Sequence, residues 1–229
     1  MIPVIAIDGP SGSGKGTVSR RVASTLGWHL LDSGALYRLV ALAGARAGLD
    51  PQDEAGHAEI AAGLDVVFRV DDRGEERVLL GGREVSGELR SEATGAAASR
   101  VAAWPVVRTA LLGRQRRFMQ PPGLVADGRD MGSVVFPDAG LKLFLTATPE
   151  ERALRRHKQL NEKGLGVNLA ALSAEIAERD RRDATRKVAP LVACPDAVVL
   201  DTTSMGIDAV VNRVLALAYE RLPGAHRED

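Results

Sequence analysis

Gly9-Pro10-Ser11-Gly12-Ser13-Gly14-Lys15-Gly16-Thr17 is the stretch that decides the fold of this 229-residue chain. An apolar run of strand length, residues 2–7, leads into it, and a helical period over residues 15–26 leads out. The spacing G-x-x-x-x-G-K means little by itself; strand, glycine loop and helix in that order give it a mechanism. Glycines let backbone N–H groups turn inward and approach phosphate oxygens with no Cβ in the way. The helix start adds unpaired donors and partial positive charge. Lys15 reaches the β- and γ-phosphates, where charge develops during transfer. Gly9, Pro10, Ser11, Gly12, Ser13, Gly14, Lys15, Gly16 and Thr17 are therefore expected to hold the phosphate chain of a nucleoside triphosphate, with Mg2+ accompanying it. The pattern departs from its general form at Gly16, where a hydroxyl residue ordinarily serves the metal. Thr17 is the candidate for a phosphate or magnesium contact, and no other residue is assigned to the metal directly.

Outward from the loop, apolar runs of strand length alternate with helical periods. Strands are expected at residues 28–31, 124–127, 141–146 and 197–200, and helices at 35–47, 92–103, 106–119, 149–163 and 168–185. A last helix carries Ile207, Val210, Val211, Val214, Leu215 and Ala218 on one face. Thr148-Pro149-Glu150-Glu151 is a helix start with its N-cap, first-turn proline and acidic residue in place. From 64 to 85 the period changes: residues 66–70, 77–80 and 83–85 read as short strands, with turns at Asp71-Asp72-Arg73-Gly74 and Gly81-Gly82. The resulting fold class is α/β, a doubly wound parallel five-stranded sheet with helices on both faces and a small antiparallel insert.

Composition narrows the function. Lys+Arg and Asp+Glu balance at 30 each, so no overall field draws the chain to nucleic acid or an anionic membrane surface. Cys194 is the single cysteine, which excludes a disulfide framework or zinc cluster within the chain and fits a reducing compartment. The opening residues lack the basic region of a signal peptide, and no apolar run approaches the roughly 20 residues of a membrane helix. A cytoplasmic protein is expected, monomeric and without nucleic-acid or membrane partners. His29, His57, His157 and His226 have no metal spacing.

A phosphate loop alone does not separate a kinase from a GTPase or a motor. Two further segments end at expected strand ends: Asp32-Ser33-Gly34-Ala35-Leu36-Tyr37-Arg38 and Asp127-Gly128-Arg129-Asp130-Met131-Gly132. In an open α/β sheet, ligands lie beyond the carboxyl ends of the strands, so these residues are expected near the loop, offering a hydroxyl, carboxylates and arginines to a second substrate. Arg38 is equally consistent with a solvated helix residue, and Arg179–Asp183 with a charged face of i,i+4 pairs. On the residues alone, a kinase for another small anionic acceptor, such as shikimate or a sugar acid, and a nucleotide-binding protein without transfer activity both stay open.

These strings, together with Ile7-Asp8-Gly9-Pro10-Ser11-Gly12, Val107-Arg108-Thr109-Ala110-Leu111-Leu112, the run from Ser133 to Ala139 and Arg179-Asp180-Arg181-Arg182-Asp183, resemble the bacterial cytidylate kinases along nearly the whole chain. Those are P-loop nucleoside monophosphate kinases. The resemblance implies transfer of the γ-phosphoryl group of ATP to CMP or dCMP by a single kinase domain over 1–229. Its core would cover about 1–34, 105–150 and 186–229, its monophosphate-binding insert about 35–104 and its lid about 151–185. Ser33, Arg108 and Asp130 would read the cytosine edge, Arg38, Arg129 and Arg186 would hold the acceptor phosphate, and Asp183 with Arg179 would meet the ribose hydroxyls. Asp127 would orient magnesium-bound water or a neighbouring arginine. Lys15, Arg129 and Arg186 would be the catalytic group, neutralising the transferring phosphoryl. Arg155 and Arg156 fall in the lid, with ATP phosphates or solvent as their partners.

Overall fold

A computed structural model describes residues 1–70, 76–162, 164, 166–223 and 225. The turn expected at Asp71-Asp72-Arg73-Gly74 lies outside the described residues. The chain divides into two compact units, Met1–Asp32 with Arg116–Asp229, and Ser33–Gln115.

The first unit is built on β1 (Val4–Asp8), α1 (Lys15–Leu26) and β2 (His29–Asp32), resuming with β6 (Leu124–Gly128), β7 (Leu141–Thr146), α7 (Pro149–Asn161), α8 (Leu169–Thr185), β8 (Val198–Asp201) and α9 (Ile207–Arg221). Its sheet has the order β2-β6-β1-β7-β8, and all four pairings are parallel. β1 and β6 are buried at every residue, which explains their continuous apolar runs; a strand covered on both faces has no polar side to show. β7 alternates between buried and half-buried positions. One apolar cluster joins Ile5 and Ile7 of β1, Leu143 and Leu145 of β7, Val18 and Val22 of α1, and Val210, Val214 and Leu217 of α9. Leu215, expected on the buried face of α9, packs against this cluster partly buried, and Ile207 is exposed.

Register decides where chemistry can occur. Asp8 pairs with Gly128, Ile7 with Asp127, and Asp32 with Asp127, so Asp8 and Asp32 end their strands, and Asp127 stands one residue before the end of its own, at one edge of the sheet. Between β6 and β7 the chain makes a π-helical turn at Met131–Val135, in which Val135 N donates to Asp130 O at 3.2 Å and Phe136 N to Met131 O at 2.7 Å. Such turns recur at functional sites.

The second unit holds α2 (Ser33–Arg46), α3 (Glu54–Ala62), the antiparallel sheet β3 (Val66–Val70), β4 (Glu76–Leu80) and β5 (Arg83–Glu84), then α4 (Ser86–Leu89), α5 (Glu92–Val101) and α6 (Pro105–Arg116). The expected antiparallel insert is present. α3 buries only His57 and Ala61, one turn apart, a face too narrow to register as apolar periodicity. His57 meets Trp104 edge to face at 5.3 Å, and a Cβ on Gly44 would lie 2.4 Å from its Nε2. α6 begins at Pro105, which occupies the first helical position.

Gly9 is the residue on which the loop's entry depends. Its φ is 152°, and a Cβ there would lie 2.1 Å from the carbonyl oxygen of Leu145 in the neighbouring strand. Gly9→Ala must push β1 and β7 apart. It is expected to destabilise the fold by about 3 kcal/mol, lowering Tm by about 6–12 °C in thermal unfolding followed by circular dichroism. An unchanged Tm would refute this packing.

Candidate active site

The glycine loop wraps the start of α1 and buries Lys15, whose Nζ donates to Pro10 O at 3.0 Å. Burial pushes the Lys15 ammonium well below the usual lysine range, and Arg129 adds to the depression while Asp127 opposes it. Desolvation and neighbouring arginines both disfavour the charged ammonium, and a further anion beside it would favour that form. Burial likewise pushes Asp127 upward against the pull of Lys15, with Asp32 adding to the rise. Ser13 Oγ and Asp127 Oδ1 are buried without a hydrogen-bond partner among the described residues. The departure at Gly16 has a local reason: a Cβ there would sit 3.2 Å from Asp127 Oδ2. Thr17 is exposed in the first turn of α1.

Across the sheet edge, Asp8 is buried and accepts from Met131 N at 2.8 Å and Gly132 N at 2.9 Å. The strand that delivers the chain to the glycine loop therefore also pins the turn that presents Arg129 and Asp130. Arg129 Nε donates to Asp183 Oδ2 at 2.9 Å, and the Arg186 guanidinium lies 3.8 Å from Asp130 Oδ1. Burial pushes the Asp183 carboxyl up, but Arg129 and Arg179 outweigh it and hold the group below the ordinary range. Arg186 also donates to Ala189 O. The first unit thus gathers Lys15, Asp127, Arg129, Asp130, Arg179, Asp183 and Arg186 into one electrostatic cluster.

α7 begins as expected at the Thr148 cap, whose Oγ1 accepts from Glu151 N at 3.3 Å. Arg155 is held by Glu151 at 2.8 Å and by Thr202, through Oγ1 at 3.0 Å and the carbonyl at 2.5 Å. Arg156 donates to Gln159 at 2.6 Å on an exposed surface.

Ser33, Arg38 and Arg108 belong to the second unit. Ser33 is buried as the first residue of α2. The Arg38 guanidinium donates to Leu89 O at 2.6 Å and Ser91 O at 3.3 Å. Arg108 is buried, donates to Ala102 O at 3.2 Å and lies over the Tyr37 ring at 5.8 Å from its centre. Stacking of this kind keeps a guanidinium planar face in place while leaving its edge N–H groups to donate.

The family profile described as cytidylate kinase matches residues 5–220. The chain belongs to the cytidylate kinase family. Curated cytidylate kinases are similar to it throughout: that of Aeromonas salmonicida is 56% identical over 225 residues, covering 98% of this chain and 97% of the relative. That of Pseudomonas paraeruginosa is 57% identical, covering 93% and 94% of the two chains. A solved but uncharacterised protein from Eubacterium ventriosum, 12% identical, shares the fold with a TM-score of 0.50 over 96% of this chain and 99% of the other.

Within this cytidylate kinase fold, the residues singled out from the sequence fall in the two units as described. Asp8, Arg152, Asp180 and Thr202 are polar residues of the first unit to which sequence reading gave no role, Arg152 pairing with Asp180 at 2.6 Å. Only Asp8 carried a signal, as a carboxylate closing an otherwise apolar strand directly before the glycine loop.

Burial is the largest influence on Asp8 and raises its carboxyl from 3.8 to about 6, against the pull of the Gly132 and Met131 N–H groups. The folded chain then binds this proton more tightly than the unfolded chain, so the Asp8 contribution to stability is greatest at low pH. It declines as pH rises from about 4 to about 6. Asp8→Asn removes the titration. Urea unfolding across that window should show the wild type losing on the order of 2–3 kcal/mol relative to the variant. A gap constant with pH would reject the assignment.

Proposed function

We propose that this cytidylate kinase family member transfers the γ-phosphoryl group of ATP to CMP or dCMP, giving ADP and CDP or dCDP. The observation that carries the reading is the buried cluster at the sheet edge, in which Lys15, Arg129 and Arg186 stand together with Asp127, Asp130 and Asp183. Whole-length identity of 54–57% to curated cytidylate kinases supports the same reading.

Phosphoryl transfer asks a protein chiefly to position reactants and offset charge. The acceptor is itself a phosphate, ionised near neutral pH, so no strong base is needed. Lys15 takes the donor phosphates and regains its full charge as they arrive. Arg129 and Arg186 offset charge on the transferring group and hold the acceptor phosphate together with Arg38. Ser33, Arg108 and Asp130 read the cytosine edge, where a hydroxyl and a carboxylate accept from the exocyclic amine and arginine donates to the ring nitrogen and carbonyl. Asp183, kept ionised by Arg129 and Arg179, accepts from the ribose hydroxyls. Asp127, with one carboxylate oxygen unpartnered and Gly16 leaving room beside the other, fits a role toward Mg2+-bound water. Thr17, exposed at the start of α1, is its possible direct ligand. When bound, Mg2+ supplies charge neutralisation across the donor phosphates.

The division that goes with this reading is a core over about 1–34, 105–150 and 186–229, an insert over about 35–104 and a lid over about 151–185 that excludes water. No helix among the described residues is long and apolar enough to cross a membrane. We place the enzyme in the cytoplasm as a monomer acting on free nucleotides.

A panel of CMP, dCMP, UMP, AMP and GMP with ATP tests the reading directly, the cytosine nucleotides being expected as preferred acceptors. Preference for a purine nucleotide, or for none, would overturn it. Lys15→Ala should lower kcat by about 100-fold or more with the fold intact. Arg108→Ala should raise KM for CMP by about 10–100-fold while shifting KM for ATP less than about twofold. Equal effects on both substrates would mean that Arg108 serves the donor.

A further inference from the structure

Arg152 stands in the first turn of α7 with only 4% of its surface exposed, and each of its guanidinium nitrogens has a partner. Nε donates to Ala147 O at 3.0 Å, NH1 to Ser11 O at 2.9 Å, and NH2 pairs with Asp180 Oδ2 at 2.6 Å. The three partners come from the approach to α7, the glycine loop and α8. The backbone is close as well: a Cβ on Gly12 would lie 3.0 Å from both Cβ and the carbonyl oxygen of Arg152. Arg152 is therefore committed to the protein on every side.

Asp180 and Asp183 are three residues apart on α8 and so share one face of the helix. Asp180 is held by Arg152, which also holds the glycine loop; Asp183 is held by Arg129 at 2.9 Å. One pin leaves a helix free to roll about its axis; two pins a turn apart fix its rotation. The Arg152 pair joins that rotation to the loop carbonyl of Ser11. Asp180 Oδ1 is buried without a hydrogen-bond partner among the described residues, so the carboxylate is poorly satisfied for a purely stabilising group.

We propose that Arg152 and Asp180 are positioning residues for the transfer: they set the rotation of α8 relative to the glycine loop, and with it the placement of Arg179 and Asp183. The inference rests on the proposed nucleotide kinase activity, in which Arg179 and Asp183 serve the acceptor. It separates two effects that a general loss of stability would join. Loss of Asp180 leaves Arg152 bonded to the loop and should spare the donor, whereas loss of the Arg152 guanidinium should disturb donor and acceptor together.

The test compares wild type, Asp180→Asn, Asp180→Glu, Arg152→Lys and the Arg152→Lys/Asp180→Asn double variant. It measures kcat/KM for CMP, Kd for the non-hydrolysable analogue AMP-PNP, and Tm. Asp180→Asn should lower kcat/KM for CMP by about tenfold or more while Kd for AMP-PNP stays within about twofold. Asp180→Glu keeps the charge but lengthens the link, and should show the same split in a protein with wild-type Tm. Arg152→Lys should weaken both substrates, and the double variant should be no worse than Arg152→Lys alone, because Asp180 acts through Arg152. If both Asp180 variants keep kcat/KM for CMP within about twofold of wild type, the proposal fails. It fails equally if donor and acceptor parameters decline in step with Tm. Wild type turning over CMP in the same assay separates these failures from failure of the kinase reading itself.

Discussion

Charge is buried at the carboxyl edge of the parallel sheet, and the geometry of this protein follows from the need to keep it there. β1 and β6 pair residue for residue up to Asp8 and Gly128, which sets the Asp8 and Asp127 carboxylates at one dry edge. Neither would be tolerated alone, because an unpaired carboxylate out of water is costly. Asp8 is met by two backbone N–H groups, and Asp127 by the field of Lys15 and Arg129. Asp183 and Asp130 then stand against Arg129 and Arg186. Each charge is tolerable because of the next.

This interdependence explains the π-helical turn after β6. An ordinary strand-to-loop exit would not aim the N–H groups of Met131 and Gly132 at a single carboxylate on the adjacent strand. The wider turn does so, and it leaves Asp130 directly beside Arg129 at the start of the segment. The same segment thus satisfies a buried acid and presents Arg129 to Asp183, so the backbone has little freedom to vary here. Arg155 illustrates a different outcome for a charged helix residue. Its guanidinium closes onto Glu151 and Thr202, tying α7 to the end of β8.

The sheet was legible because β1, β6 and β7 are apolar runs bounded by glycine, proline or a capped helix, and because the glycine loop fixed which strand came first. The Thr148 cap and the 141–146 strand were readable to the residue for the same local reasons. α3 escaped notice since its buried face is a histidine and an alanine, and α4, four residues long, has no period to read. Asp127 and Arg129 stood out through their place at an expected strand end, whereas Asp183, in a charged helical run, was singled out only by the family resemblance. Arg152 and Asp180 did not stand out: nothing in a charged helical stretch marks an arginine whose guanidinium turns inward. That distinction arises only when α7 and α8 pack together and bring a loop carbonyl within reach.

Gly16 gives the loop a historical dimension. Asp127 Oδ2 stands 3.2 Å from where a Gly16 Cβ would lie. A side chain at this position would bring its Cβ tight against that oxygen, and the Asp127 carboxylate would have to give by a few tenths of an ångström to admit it. The two positions are therefore linked in which sequences can be reached from this one, although more than 100 residues separate them along the chain.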